Sequence, residues 1–272
     1  MSVVALASAK GSPGVTTTAL ALASVWSRRS IVLEADPAGG DLAARLGLPE
    51  EPGLVGLCAA LRRDARAELL ERYVQGTPLG MAVVPAPAGA HQAAAASAVL
   101  GGLPVGCLTG EWDVLLDAGR LDKSSPGRPL VESADLLIWV CRPQLGDLAH
   151  LAAALTLGQG GGQAVSIVLI GAGPYPAEEV SATLGVTVTG QLPADPVGAA
   201  TLWGSRRGVW GRSALGRSAR SLAETLGTVL VPPAAPSTHT AGEFHELDRS
   251  STIPEAGSHF DIAMAETPGA QR

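Results

Sequence analysis

Short, continuously apolar runs rich in β-branched residues alternate along this chain with longer Ala- and Leu-rich stretches, and that alternation restricts the fold more than any single residue does. The runs Val3–Ala7, Ile31–Glu34, Met81–Val84, Val114–Leu116, Leu136–Val140, Val165–Ile170 and Thr187–Gln191 are predicted strands. They lack the in–out alternation of a half-solvated sheet, so both of their faces are expected to be covered. Helices are predicted at Thr16–Arg28, Gly40–Leu46, Leu54–Leu61, Arg66–Tyr73, Gln92–Leu100, Gly146–Leu157, Pro176–Leu184, Pro196–Trp203 and Ser213–Leu226. Strand–helix alternation builds βαβ units with right-handed crossovers. The predicted fold class is therefore α/β: a doubly wound, mostly parallel sheet with helices on both faces. Hydrophobic residues make up 46% of the chain but aromatic ones only 3%, so the core must be assembled from Ala, Leu and Val.

The pattern stops after Val231. Residues 1–231 read as one domain, and 232–272, rich in Pro, Ser, Thr, Glu and Ala without a sustained period, as a disordered acidic tail. The tail carries six acids against two bases, or −4 of the net −6, leaving a nearly neutral domain with no global electrostatic case for nucleic acid. Cys58, Cys107 and Cys141 have neither metal-site nor redox-pair spacing and read as buried thiols of a reducing compartment. With no leader-like N-terminus and no apolar stretch of membrane-spanning length, a cytoplasmic location without a transmembrane segment is expected. His91, His150, His239, His245 and His259 show no ligand spacing, and the five Trp read as core or interface.

The segment that carries chemistry is Ser8-Ala9-Lys10-Gly11-Ser12-Pro13-Gly14-Val15-Thr16-Thr17, placed between the first strand and the first helix. Small residues there let backbone N–H groups converge, and the helix N-terminus adds positive potential, which together make a phosphate-binding loop. Lys10 gains interest because the chain has only two lysines, the other being Lys123, against seventeen arginines. Two later strands also end in acids: Ile31-Val32-Leu33-Glu34-Ala35-Asp36-Pro37-Ala38-Gly39-Gly40-Asp41, and Trp112-Asp113-Val114-Leu115-Leu116-Asp117-Ala118-Gly119-Arg120. Open α/β sheets bind ligands at that carboxyl edge.

These three elements, in this order, resemble the ParA/MinD family of P-loop ATPases, whose deviant Walker A loop reads Lys-Gly-Gly-x-Gly-Lys-Thr-Thr. The resemblance covers about residues 1–230. It implies nucleotide binding by Lys10, Gly11, Ser12, Pro13, Gly14, Val15, Thr16 and Thr17, with ATP and Mg²⁺ as cofactors. It implies Mg²⁺ binding by Thr16 and, through water, by Asp117. It gives Asp36 the positioning of the attacking water, and Lys10 a reach across a homodimer to the partner's nucleotide. Glu34 stands for the family's first Asp. Val15 stands where a second lysine grips the phosphates, and Pro13 lacks an N–H. Ser133-Ala134-Asp135 with Arg142-Pro143, and Gly190-Gln191-Leu192-Pro193-Ala194-Asp195, are similar to later family motifs, whereas Gly171-Ala172-Gly173-Pro174 stands where the family reads adenine with an Asn.

The resemblance implies a positioning or partitioning factor working as a nucleotide-linked dimer, with weak or absent ATPase activity. Two alternatives remain open. One is a non-hydrolysing scaffold for a pilus or secretion machine, like the TadZ/CpaE group, which the loss at Val15 favours. The other is a DNA segregation factor using the acid-free run Arg206, Arg207, Arg212, Arg217 and Arg220, for which a solvated face is the bland reading. A pilus, secretion or partition protein would be the partner. Because every periodic apolar segment precedes Pro232, a chain ended at Val231 is expected to unfold at the temperature of the full chain; a large drop in the thermal midpoint would show that the tail packs on the domain.

Overall fold

The computed structural model of the chain describes residues 1–11, 13–158 and 163–230. Ser12 and the segment read as a disordered tail lie outside the described residues. The elements run β1 (Val3–Ser8), α1 (Val15–Ala23), β2 (Ser30–Glu34), α2 (Leu42–Leu46), α3 (Leu54–Leu61), β3 (Gln75–Gly76), β4 (Ala82–Val84), α4 (Ala90–Gly101), β5 (Asp113–Arg120), α5 (Arg128–Glu132), β6 (Leu136–Cys141), α6 (Leu145–Gly158), β7 (Ala164–Ile170), α7 (Ala177–Leu184), β8 (Val188–Leu192), α8 (Pro196–Leu202) and α9 (Ala214–Leu230). Eight strands form one sheet in the order β3-β4-β2-β5-β1-β6-β7-β8. Every pairing is parallel except β3 with β4. The doubly wound α/β prediction holds.

The period-2 geometry of β1 shows how the sheet is covered. Val3, Ala5 and Ala7 join one apolar cluster, with Leu54 and Leu57 of α3, Leu100 of α4 and Leu151 of α6. Val4 and Leu6 join the opposite cluster, with Leu20 and Leu22 of α1 and Leu215, Leu222 and Leu226 of α9. Each strand thus feeds two cores, which is why the strands read as unbroken apolar runs.

Several boundaries differ from the sequence prediction for identifiable reasons. The helix expected over Thr16–Arg28 ends at Ala23. Ser24 Oγ donates to the Ala21 carbonyl and accepts from Trp210 Nε1, and the chain beyond turns so that Trp26 and Arg28 reach Asp113. The expected helix Arg66–Tyr73 is a 3-10 helix, Ala67–Tyr73. The two-residue β3 has too little sequence to show a period, and the five-residue α5 likewise. All three cysteines are buried and free.

Two aspartates fasten the start of β1. Asp113 Oδ1 accepts the Ser2 N–H at 2.9 Å, and Asp135 Oδ2 accepts the Val3 N–H at 2.8 Å. Asp113 is fully buried, and its Oδ2 also accepts from Trp26 Nε1 at 2.8 Å and is ion-paired with Arg28, whose Nε lies 2.6 Å away. One carboxylate therefore ties β1, β5 and the turn after α1. Asp113→Ala leaves an indole N–H and a backbone N–H without acceptors. It is expected to lower unfolding free energy by about 1–3 kcal/mol for each buried donor left without an acceptor, read by urea titration; a loss well below that would mean water or a neighbour takes over.

Candidate phosphate-binding site

The loop between β1 and α1 is shaped by its glycines. Gly14 caps α1 at φ 106°, ψ 36°, in the left-handed region that glycine occupies at no steric cost. Its carbonyl accepts both the Thr18 N–H at 2.8 Å and the Thr18 hydroxyl at 2.9 Å. The N–H groups of Val15, Thr16 and Thr17 open the helix, where no intrahelical carbonyl is available to them. They lie beside a cavity of about 500 Å³ at the carboxyl edge of the sheet. The cavity is lined by Ser8, Gly11, Gly14, Val15, Thr16 and Thr17 on the loop side and by Glu34, Asp36, Ala38, Gly39, Asp41, Arg45, Gly119, Arg120 and Trp203 elsewhere.

The residues predicted for the site divide into three groups. Gly11, Gly14, Val15, Thr16, Thr17 and Asp36 line the cavity. Val15 does so while only 6% exposed, its side chain forming part of the apolar cluster beneath α1. Asp117 is fully buried below the cavity floor rather than on its surface. Lys10 is exposed and, with Pro13, lines a small separate crevice that also holds Cys141 and Asp147.

Strand register explains the acidic floor. In the parallel pairing of β2 and β5, Glu34 lies opposite Asp117. Their neighbours Leu33 and Leu116 belong to the far cluster, so the two carboxyls share the α1 face. Glu34 is 1% exposed and saturated with backbone donors. Its Oε1 accepts the N–H groups of Asp41 at 2.7 Å and Leu42 at 3.1 Å, and its Oε2 accepts that of Ala86 at 2.8 Å. Burial drives its pKa up to about 7, with the nearby Asp117 charge adding to the rise and the three N–H groups opposing it. Glu34 is thus a bracket joining β2, the start of α2 and the end of β4.

Asp117 has the opposite condition. Its Oδ1 accepts the Gly119 N–H at 3.0 Å, but its Oδ2 is buried without a hydrogen-bond partner. Burial raises its pKa to about 6, and the Thr16 hydroxyl, close by but short of a well-formed bond to Oδ2, pulls it partly back. Orphaned buried oxygens are rare and mark a missing partner. Asp36 holds its carboxyl against the backbone of Gly119 and accepts the Ala38 N–H at 2.8 Å; a Cβ at Gly119, where φ is +59°, would fall 2.1 Å from that carboxyl. Burial raises the Asp36 pKa.

Two lining residues, Arg45 and Trp203, escaped the sequence reading. Arg45 Nε sits 3.2 Å from Asp41 Oδ2, and its guanidinium lies over the Trp203 ring at 4.8 Å. Arg120, exposed at the end of β5, also lines the cavity. The i,i+4 spacing of Asp41 and Arg45 was a usable signal; the approach of Trp203 from α8 was not.

An adjoining cleft of about 400 Å³ shares Gly14 and Thr17 with the loop and is otherwise lined mainly by Ile170, Leu192, Pro193, Ala199 and Leu215. Asp195, expected to be a family motif residue, caps two helices: its carboxylate accepts Gly198 N–H at 2.7 Å and Leu215 N–H at 3.1 Å, which hold its pKa below the usual range. In the segment 171–174, a Cβ at Gly173 would lie 2.1 Å from the Pro143 carbonyl, so backbone fills that place. Arg206, Arg207, Arg212, Arg217 and Arg220 are all exposed. Another cavity, of about 360 Å³, lies on the opposite face of the sheet, against Trp139 and His150. No group of three or more His, Cys, Asp or Glu among the described residues is arranged to hold a metal ion, and no helix among them is long and apolar enough to cross a membrane.

No protein-family model matches the chain, and no curated protein does. Solved structures do. A ParA family ATPase from Chlorobium tepidum TLS superposes with a TM-score of 0.67 at 19% identity, over 83% of this chain and 98% of that one. The cell division ATPase MinD of Pyrococcus furiosus gives 0.69 at 18% identity, over 84% and 99%. The septum site-determining protein MinD of Pyrococcus horikoshii, solved with Mg-ADP, gives 0.68 at 19% identity, over 84% and 96%. The chain therefore has the fold of these P-loop ATPases.

The buried acids set a pH dependence for the ligand-free protein. Both Glu34 and Asp117 have pKa values raised above their unfolded ones, so the native state holds protons that the unfolded state releases. Their contribution to stability is complete in acid and is lost as pH rises through about 6 to 7. Without Mg²⁺, unfolding free energy is expected to fall by on the order of 2–3 kcal/mol between about pH 5 and about pH 8, and Asp117→Asn should flatten part of that slope in urea titrations. A rise over the same interval would contradict the assignment.

Proposed function

We propose that this chain is a ParA/MinD-like nucleotide-binding positioning or partitioning factor of the cytoplasm, working as a nucleotide-linked dimer with slow or absent hydrolysis. The observation that carries the reading is the unpartnered Asp117 oxygen, buried beside the Thr16 hydroxyl under a loop whose helix-opening N–H groups border the cavity. A hydroxyl and a carboxylate fit Mg²⁺, which is commonly held by one or two protein groups together with ligand phosphates. Thr16 and Asp117 would hold the ion, which when bound neutralises charge on the β- and γ-phosphates.

The chain's own groups account for the rest. Gly11 and Gly14, with the first N–H groups of α1, cradle phosphate oxygens, and the helix end favours negative charge. The apolar cleft sharing Gly14 and Thr17 with the loop accepts the base by shape rather than by a dedicated polar contact. Asp36, turned over Gly119 at the cavity wall, orients the attacking water. Val15 supplies neither charge nor hydrogen bond at a point where a lysine would do both, which supports slow turnover. Lys10 is exposed and does not line its own chain's cavity, which suits a role on a partner's nucleotide.

Specific observations favour two further readings. The burial of Val15 in an apolar cluster favours a scaffold in which hydrolysis has been abandoned, for a pilus or secretion assembly. The five exposed arginines, three between α8 and α9 and two on α9 itself, none in an ion pair among the described residues, favour sequence-independent contact with DNA. Sedimentation velocity separates the leading reading from the scaffold. Wild type is expected to shift from monomer to dimer on addition of Mg²⁺ and ATP, and Lys10→Ala to remain monomeric with its fold intact. Equal dimerisation of wild type with and without nucleotide, or of the variant and wild type with it, would remove the trans-acting role and leave the scaffold.

A further inference from the structure

Val15 leaves the phosphate loop without a charged side chain, and Lys10 faces a different crevice. The cavity nevertheless carries three carboxylates along its wall, Glu34, Asp36 and Asp41. A polyphosphate entering it needs a cation from the protein as well as from Mg²⁺. Among the described residues that line the cavity, the candidates are Arg45 and Arg120. We propose that Arg45 is the cavity's own phosphate ligand, supplying from α2 the positive charge that the loop lacks. This rests on the reading of the cavity as a phosphate site.

Arg45 is oriented by its neighbours in the ligand-free protein. Glu34 Oε1 accepts the N–H groups of Asp41 and Leu42, anchoring the start of α2 to the end of β2. Gly40 packs so closely that a Cβ there would lie 2.4 Å from Glu34 Oε2. One turn on, Asp41 Oδ2 engages Arg45 Nε at 3.2 Å, and the Trp203 ring supports the guanidinium from α8 at 4.8 Å. Nε and one face of the fork are thereby occupied. The two terminal amino groups have no partner among the described residues, and paired N–H donors in one plane are what a phosphate accepts best. Arg120 has no ion pair or ring contact of this kind among the described residues.

The competing account makes Arg45 a strut between α2 and α8 with no ligand contact. Calorimetric titration of the full chain with Mg²⁺·ATP and, separately, with adenosine distinguishes the two. Arg45→Ala is expected to weaken Mg²⁺·ATP binding about tenfold to a hundredfold, the scale of a charge-assisted contact, and to leave adenosine binding unchanged. Arg45→Lys, which keeps the charge and loses the fork, should lose less. Equal loss of ATP and adenosine affinity in Arg45→Ala would establish the strut and overturn the proposal. Unchanged ATP binding in Arg45→Ala, with binding abolished in Thr16→Ala, would overturn it while leaving the phosphate site in place. If wild type shows no saturable Mg²⁺·ATP binding, the phosphate site falls and this assignment with it.

Discussion

The parallel register that sets Glu34 opposite Asp117 is the constraint on which the site depends. It puts two acids on the α1 face of adjacent strand ends, in a sheet otherwise sealed by aliphatic side chains on both sides. Like charges at such spacing cannot both ionise freely in a low-dielectric setting, and the molecule resolves the conflict unequally. Glu34 is satisfied by three backbone N–H groups and becomes part of the framework. Asp117 keeps one oxygen unsatisfied near the loop between β1 and α1. One acid organises the wall, and the other keeps an oxygen that no hydrogen-bonding group among the described residues satisfies.

The sheet can afford that arrangement because its ends are fastened independently. Asp113 and Asp135 hold the N-terminal edge of β1 from the two neighbouring strands, remote from the carboxyl edge where the cavity lies. Stability and chemistry thus occupy opposite ends of the same strands, as in open α/β sheets generally. At the carboxyl edge the backbone approaches closely: Gly40 against Glu34, and Gly119 against Asp36, are places where a Cβ would collide with the carboxyl it packs on. The glycines of the two acidic motifs are therefore explained by packing as much as by turn geometry.

Much of the fold was legible because strands covered on both faces declare themselves as apolar runs, and the order loop, acid, acid was legible because strand ends follow those runs. What the sequence concealed depended on distance or on brevity. Gln75–Gly76 is too short to show a period. The helix after the loop kept its apolar pattern past Ala23, but the demand of buried Asp113 for donors draws Trp26 and Arg28 out of the helix. Glu34 reads as a strand-end acid, and nothing in its neighbours reveals that its carboxylate reaches donors as far away as Ala86. Arg45 and Trp203 meet only because α2 and α8 flank one cavity. The second helix that Asp195 caps, α9, begins some twenty residues on, and nothing near Asp195 in the sequence signals that contact.

The central claim is that the loop, the Thr16–Asp117 pair and the Asp36 turn form one site for a Mg²⁺-bound polyphosphate. Backbone amide chemical shifts followed through a titration with ATP, first in EDTA and then with Mg²⁺, test it directly. The account predicts saturable, Mg²⁺-dependent shifts concentrated at the Gly11–Thr18 amides, at Ala38–Asp41 and at Gly119–Arg120. Shifts centred on the opposite face near Trp139 and His150, or none that saturate, would contradict it.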